Sequence, residues 1–257
     1  MYGICHLSLI PCRKDPSDRS ELVTQLLFGE TFSILESAGS WTRIKAAADG
    51  YEGWIDTKQY SELGVNAFNA LSASPVCYTT ELVQILRNKR NDVLPLLLGS
   101  SLPGFNKGEC FIGKELWTYE GQFNVSDMAT ERSNLIETAH LYLHSPYLWG
   151  GRSPFGIDCS GFTQMVYKLN GKRIHRDACQ QAEEGSLLSF VEEAQPGDLA
   201  FFDNAEGKII HVGIILNASR IIHASGCVRV DKFDHHGIFR EETKKYSHNL
   251  RMIRTYL

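Results

Sequence analysis

Seven cysteines stand singly at 5, 12, 77, 110, 159, 179 and 227, and one of them differs in its setting. Cys159 follows Asp158, a good helix N-cap, and precedes Ser160-Gly161 and the run Phe162, Met165, Val166, Leu169 at helical spacing. A cysteine in the first turn of a helix has unpaired backbone N–H groups and the positive end of the helix dipole beside its sulfur. That setting is predicted to favour the thiolate, the form that attacks a carbonyl carbon. Taken alone, a single cysteine reads more readily as a small buried hydrophobe. A cysteine nucleophile also needs a base, and the base needs a group to orient it. His175, His211 and His223 are the downstream candidates. His211 lies within Ile209-Ile210-His211-Val212-Gly213-Ile214-Ile215 and His223 within Ile221-Ile222-His223-Ala224-Ser225-Gly226, where an imidazole is costly unless it has partners. Two such histidines on consecutive strands, downstream of a helix-capping cysteine, favour a Cys-His-His triad and covalent acyl transfer.

Strand register decides whether that triad can form. Pairing Leu216 with Ile221 around a four-residue turn would put the two histidines on opposite faces of the sheet. A three-residue turn, Asn217 to Ser219, instead sets His223 opposite Gly213, one diagonal step of about 7–8 Å from His211. An odd loop or a bulge is therefore expected here.

These residues need elements to carry them. Leu135, Ile136, Ala139 and Leu143 predict a helix after Ser133 that Pro146 stops, and the loop YLWGGRSPFGI then leads into the helix opened by Cys159, which Asn170-Gly171 ends. After Gln195-Pro196-Gly197-Asp198 the runs LAFF, KIIHVGIIL, RIIHASG and VRVDKF read as strands, which makes an α+β module. Upstream the grammar differs. Residues 1–62 are short apolar runs broken by turns, five or so strands with Asp49-Gly50 as a hairpin signal, which suits a small β-barrel. Residues 63–125 repeat that grammar more loosely and read as a second, divergent barrel.

Composition narrows the function classes. The chain has 257 residues, 43% hydrophobic and 22% charged, and that balance excludes disorder over most of its length. With 26 basic against 30 acidic side chains, a net charge of -4 and no long Lys/Arg block, it lacks the footprint of a nucleic-acid partner. No cysteine pair has zinc-site spacing, and His235-His236 lacks further ligands at regular spacing, so no metal and no cofactor are expected. Cys179 and Cys227 are expected to be packing residues, and Lys244-Lys245 a solvated face. No run of about 18 apolar residues predicts a membrane span, and Met1 to Arg13 does not read as a signal peptide. The expectation is a cytoplasmic chain, or a periplasmic or secreted one if a leader has been removed.

Residues from about 130 to 257 closely resemble the NlpC family of cell-wall cysteine peptidases. The matching text is Pro146-Tyr147-Leu148-Trp149-Gly150-Gly151, Gly156-Ile157-Asp158-Cys159-Ser160-Gly161-Phe162, Pro196-Gly197-Asp198-Leu199-Ala200-Phe201-Phe202, His211-Val212-Gly213-Ile214 and Ile222-His223-Ala224-Ser225, in that order. Residues 1–62 resemble a bacterial SH3-like domain through Glu21-Leu22-Val23, Gly29-Glu30, Trp41 and Gly50-Tyr51-Glu52-Gly53-Trp54-Ile55. The resemblance implies an α+β fold, a papain-like NlpC catalytic domain (126–257) preceded by two small SH3-like β-barrels (1–62 and 63–125). It implies Cys159 as nucleophile, His211 as general base, His223 as its orienting group, Tyr147 near the oxyanion, and a substrate site that also draws on Trp149, Asp158, Ser160 and Arg176.

The layout is similar to the γ-D-glutamyl-L-diamino-acid endopeptidase subgroup, which acts on murein stem peptides with a free N-terminal L-alanine. In that subgroup the first SH3-like domain closes the cleft and a carboxylate there meets the free amine. Glu52 is the candidate, and a solvated turn residue is its competing reading. Arg176-Asp177 matches the subgroup's Arg-Asp-Ser segment, with Ala178 where serine is usual, and Asp177 could face the amine. The expected activity is hydrolysis of the γ-D-glutamyl–diamino acid bond of murein peptides by a monomer. A papain-like amidase or acyltransferase acting on another substrate, and a wall-binding module without catalysis, are the alternatives.

Overall fold

A computed structural model describes residues 1–113 and 115–257. The chain divides into two compact units. One comprises Met1–Ala129 with Gly150–Pro154 and Gly171–Arg173; the other comprises Thr130–Trp149, Phe155–Asn170 and Ile174–Leu257.

In the first unit, strands β1 (Tyr2–Cys5), β2 (Leu9–Arg13), β3 (Leu22–Leu27), β4 (Thr31–Ala38), β5 (Trp41–Ala46), β6 (Glu52–Asp56) and β7 (Tyr60–Leu63) form one antiparallel sheet. Its order is β3-β2-β6-β5-β4-β1-β7, around a core of Cys5, Ile10, Cys12, Leu26, Phe32, Ile44 and Ile55. There are two more strands than the five apolar runs suggest, because ICHLSLI is split between β1 and β2 and because β7 follows the last run. Asp49-Gly50 does form the β5–β6 turn, with Gly50 at a φ of 73° that a side chain would resist.

A helix follows where only strands are expected. Helix α1 (Val65–Ala73) has no buried residue, and Phe68 stacks on Tyr2 at 3.9 Å between ring centres. Strands β8 (Cys77–Thr79), β9 (Val83–Asn88), β10 (Val93–Leu97), β11 (Ser101–Leu102), β12 (Glu109–Ile112), β13 (Glu115–Tyr119) and β14 (Phe123–Val125) then form a four-stranded and a three-stranded sheet over Phe28, Leu86, Leu96, Leu102, Cys110 and Tyr119. Segment 150–154 belongs to this unit through a buried ion pair, in which Arg152 grips Glu30 with two prongs at 2.9 and 3.0 Å.

The second unit opens with helix α2 (Arg132–Leu141), which buries Leu135 and Ala139. Its cap position is Glu131, two residues before the Ser133 that the sequence suggests. The short strand β15 (Arg152–Ser153) belongs to the first unit and the short strand β16 (Gly156–Ile157) to the second. Helix α3 (Cys159–Leu169) is buried at every residue, and the four-residue helix α4 (Ala178–Gln181) is pinned to it by Gln181, which bonds Thr163 Oγ1 at 2.8 Å and the Ser160 carbonyl at 3.1 Å. The last sheet contains β17 (Ser186–Leu188), β18 (Leu199–Asp203), β19 (Ile209–Asn217), β20 (Arg220–Ser225), β21 (Cys227–Asp234), β22 (Gly237–Arg240) and β23 (Lys245–Thr255). It runs β17-β23-β18-β19-β20-β21-β22, and β22 also pairs with β23. Helix α3 packs on β19 and β20, which carry His211 and His223.

Candidate active site

Polar contacts hold the first turn of α3. Asp158 Oδ1 accepts the Gly161 N–H at 2.7 Å and so caps the helix. Arg176, 1% exposed, grips the same carboxylate at 3.0 and 2.7 Å and donates to Ser160 Oγ at 2.9 Å. Asp158, Ser160 and Arg176 are thus bonded into one buried knot, and fixing the turn that carries Cys159 is the work this geometry shows them doing. Breaking such a pair by removing one partner leaves a buried charge uncompensated.

Cys159 is buried, with the backbone N–H groups of Val212 and Ser160 directed at its sulfur. The expected acidification is not found. Burial, then the Asp158 carboxylate, push the thiol up to about 12, while the Val212 N–H, Arg176 and the Ser160 N–H pull the other way and lose. The Asp158 side chain that caps the turn is also a negative charge beside the sulfur, and it opposes the helix dipole.

Strands β19 and β20 bring the histidines together. Their pairing sets Ile214 against Ile222 and Ile215 against Ile221, then shifts between Ile215 and Asn217. This is the bulge that the register argument requires, and extending the pairing one step places Gly213 against His223. His211 Nε2 lies 2.8 Å from His223 Nδ1, and the rings cross at 86°. His223 Nε2 lies 3.0 Å from Asp231 Oδ2, and Asp231 Oδ1 accepts from Arg229 Nη2 at 2.8 Å. His248, from β23, stacks on His211 at 4.1 Å between ring centres.

The ring nitrogens of His211, His223 and His248 lie within 4.8 Å of one another, but both nitrogens of His223 and one of His211 are taken up in hydrogen bonds. Burial, then the charges of His223, His248 and Arg240, hold His211 well below the usual histidine range. Burial also lowers His223 against the opposing pull of Asp231, and takes His248 to about 4. At neutral pH all three imidazoles are therefore neutral.

Tyr147 is half-buried, and its N–H donates to the Gly226 carbonyl at 3.0 Å. Burial, then the charges of Cys159 and Asp158, raise its phenol, so it remains an O–H donor beside the thiol. Trp149 is 60% exposed. Asp177 stands at the N-cap of α4, its N–H donating to Gln180 Oε1 at 3.3 Å. His175 takes no part in the histidine chain and lies 3.0 Å from Glu184. Glu52 belongs to the first unit, on β6, where its exposed carboxylate meets Arg43 at 2.9 Å. Cys179, expected to pack, is exposed, because it lies on the outer side of the short helix α4.

Sequence reasoning missed Asp231, Arg229 and His248. A signal for the first two exists: Arg229 pairs directly with His223 across β20 and β21, and Asp231 lies two residues further on the same face. His248 has no comparable signal, since only the fold of β23 brings it to His211.

The family model described as "NlpC/P60 family" matches residues 144–247, and that described as "Bacterial dipeptidyl-peptidase Sh3 domain" matches 12–59. The gamma-D-glutamyl-L-lysine dipeptidyl-peptidase of Bacillus subtilis (strain 168) is 30% identical over 214 residues, covering 78% of this chain and 71% of that protein. Dipeptidyl-peptidase 6 of Lysinibacillus sphaericus is 28% identical over 260 residues, covering 89% and 90%. A crystal structure of an NlpC/P60 family protein from Bacillus cereus ATCC 10987 shares the fold, with a TM-score of 0.84 at 22% identity over 100% of both chains.

Proposed function

Because this chain belongs to the NlpC/P60 family of peptidases, we propose that its second unit is a papain-like cysteine peptidase. Its substrate is a murein stem peptide with a free N-terminal L-alanine, cleaved between γ-D-glutamate and the diamino acid. The observation that carries this reading is a buried cysteine at a helix N-terminus, its sulfur against the residue next to His211, with His211 bonded to His223 at 2.8 Å. The two relatives named as dipeptidyl-peptidases support the substrate: removing a dipeptide requires an unblocked amino terminus. The match of residues 12–59 to a bacterial dipeptidyl-peptidase SH3 domain, ahead of the catalytic unit, agrees with the same subgroup.

Cys159 Sγ attacks the γ-carbonyl carbon of D-glutamate while its proton passes to His211. The oxyanion takes hydrogen bonds from the Tyr147 hydroxyl and from the Cys159 backbone N–H at the start of α3. Return of the proton to the leaving nitrogen breaks the C–N bond, releasing the diamino acid and leaving a thioester. Water, deprotonated by His211, then hydrolyses the thioester and restores the thiol. The neutral resting state of thiol and imidazole makes proton transfer part of the attack rather than a step before it.

The test is mass spectrometry of L-Ala-γ-D-Glu-L-Lys digested by the enzyme and by Cys159→Ala. The expected products are L-Ala-γ-D-Glu and lysine from the enzyme alone. An intact tripeptide, with turnover of another amide or acyl donor, would replace this reading by the amidase or acyltransferase one.

A further inference from the structure

We infer that Asp231 is a positioning residue that fixes the tautomers of His223 and His211, leaving His211 Nδ1 bare to accept the Cys159 proton. This rests on the cysteine-peptidase reading above and adds a fourth side chain, held by a fifth, to it.

The two tautomers are set outward from the carboxylate. Asp231 is 4% exposed, and each of its oxygens has a donor, His223 Nε2 at 3.0 Å and Arg229 Nη2 at 2.8 Å. Burial on its own would raise this carboxyl, but the two hydrogen bonds and the charges behind them bring it down to about 2, so it is ionised and can only accept. His223 Nε2 must therefore carry a hydrogen. His223 is neutral, so its Nδ1 has none and accepts. The group facing that nitrogen at 2.8 Å is His211 Nε2, which must then be the donor. His211 is neutral as well, which leaves its Nδ1 with a lone pair and no hydrogen. One buried carboxylate thus determines, through two rings, which nitrogen of the base is free. When His211 takes the thiol proton, the same carboxylate faces the charge that develops along the chain.

Arg229 makes the arrangement one-directional. Its Nη2 donates both to Asp231 and to Glu242 Oε1, the latter at 2.6 Å, and a guanidinium cannot accept in return. The surrounding charges are Arg240, which bonds Ser225 Oγ at 2.6 Å, and the stacked ring of His248, which is neutral.

This geometry gives an asymmetric prediction for substitution. In Asp231→Asn the amide has one oxygen for two donors. The permanently charged Arg229 takes it, and the NH2 group turns to His223 Nε2. That reverses both rings and puts a hydrogen on His211 Nδ1. In Asp231→Ala the rings are left free to adopt either state. A role in packing alone predicts the opposite order, with the isosteric asparagine milder than alanine.

The experiment compares the wild-type enzyme with Asp231→Asn, Asp231→Ala and the double variant Arg229→Met/Asp231→Asn, in which asparagine can return its oxygen to His223. The readouts are kcat and KM on L-Ala-γ-D-Glu-L-Lys, the rate at which iodoacetamide alkylates Cys159, and 15N chemical shifts of the His211 ring. Asp231→Asn should lose on the order of 100- to 10,000-fold in kcat with KM little changed, as expected for a base held in the wrong tautomer. Asp231→Ala should lose about tenfold, and the double variant should recover at least tenfold over Asp231→Asn. Wild-type His211 should show hydrogen on Nε2 and none on Nδ1. Asparagine as mild as alanine or milder, or a wild-type ring with hydrogen on Nδ1, overturns the inference; the ring measurement decides even if a variant fails to fold. Hydrolysis lost in Cys159→Ala but kept in Asp231→Asn removes this inference and leaves the peptidase reading intact, whereas activity surviving in Cys159→Ala removes the reading itself.

Discussion

Gly213 is the position where one added methyl group should damage the catalytic chain without touching any catalytic atom. A Cβ built there would stand 2.9 Å from His223 Cβ, 2.9 Å from Ile221 Cδ1 and 3.1 Å from Ile221 Cγ1. Carbon atoms settle at about 3.5–4.0 Å, so His223 must yield by roughly 0.6 Å. Its Cβ cannot do so by rotating, and β20 is held on both sides by β19 and β21, so the strand moves with it. A shift of that size takes the 2.8 Å His211–His223 bond beyond the usual hydrogen-bond range, which ends near 3.2 Å. Gly213→Ala should therefore lower kcat by about 10- to 100-fold. Overpacking should also cost about 1–3 kcal/mol of stability. The assay is kcat and KM on the tripeptide beside thermal unfolding. Adding Ile221→Val to Gly213→Ala removes the Cδ1 contact while keeping the one with His223, so kcat should stay low. Wild-type kcat in Gly213→Ala, or full recovery in the double variant, would refute this account of the site.

The remaining predictions concern charge. His211, His223 and His248 are all held below the usual histidine value, so below about pH 6.5 the unfolded chain binds protons that the folded chain does not. Stability of the second unit should fall as pH drops from 6.5 toward 4, by up to about 1.4 kcal/mol per pH unit for each histidine, and urea unfolding at pH 7.5, 5.5 and 4.5 should show it. A flat profile would contradict the neutral-imidazole picture. In the first unit, Arg152→Met leaves Glu30 buried without its two-pronged partner and should cost about 3–5 kcal/mol, measured by denaturant unfolding. For recognition of the substrate amine, N-acetylation of the tripeptide should reduce kcat/KM by more than a hundredfold in the wild-type enzyme. Asp177→Ala and Glu52→Ala should narrow that ratio if those carboxylates meet the ammonium. Equal rates on both peptides would remove amine recognition, and an unchanged ratio in Glu52→Ala would leave Glu52 as the partner of Arg43 alone.

What was legible in the sequence was what local pattern controls. The Asp158 cap, the apolar face of α3 and the strands bearing His211 and His223 follow from spacing, and the requirement that both histidines share a face predicted the bulge near Asn217. Helix α1 was not legible, because VNAFNALSA buries no residue and Tyr2, on which its Phe68 stacks, lies more than sixty positions upstream. Neither was the outer part of the catalytic chain. Arg229 and Asp231 look like ordinary strand-surface charges until β21 is paired with β20, and His248 joins only because β23 crosses back beside β18.

The largest departure from expectation, the un-ionised Cys159, has its cause in how the same turn is held. A helix start offers about half a unit of positive charge, and the Asp158 carboxylate that caps this one supplies a full negative charge beside the sulfur. Arg176, bonded to that carboxylate, offsets it only in part, since its pull on the thiol is weaker than the push of Asp158. Burial then opposes any ion in the site, and it opposes an imidazolium at His211 for the same reason. A resting thiolate–imidazolium pair would bear both costs at once, whereas a neutral pair bears neither. In the proposed mechanism the charges appear only when a substrate carbonyl is there to take the electrons, with Tyr147 to meet the oxyanion and Asp231 to face the single positive charge on the His211–His223 pair. The cap that stabilises α3 thus also holds the Cys159 thiol un-ionised, which in the proposed mechanism keeps the nucleophile from ionising ahead of its substrate.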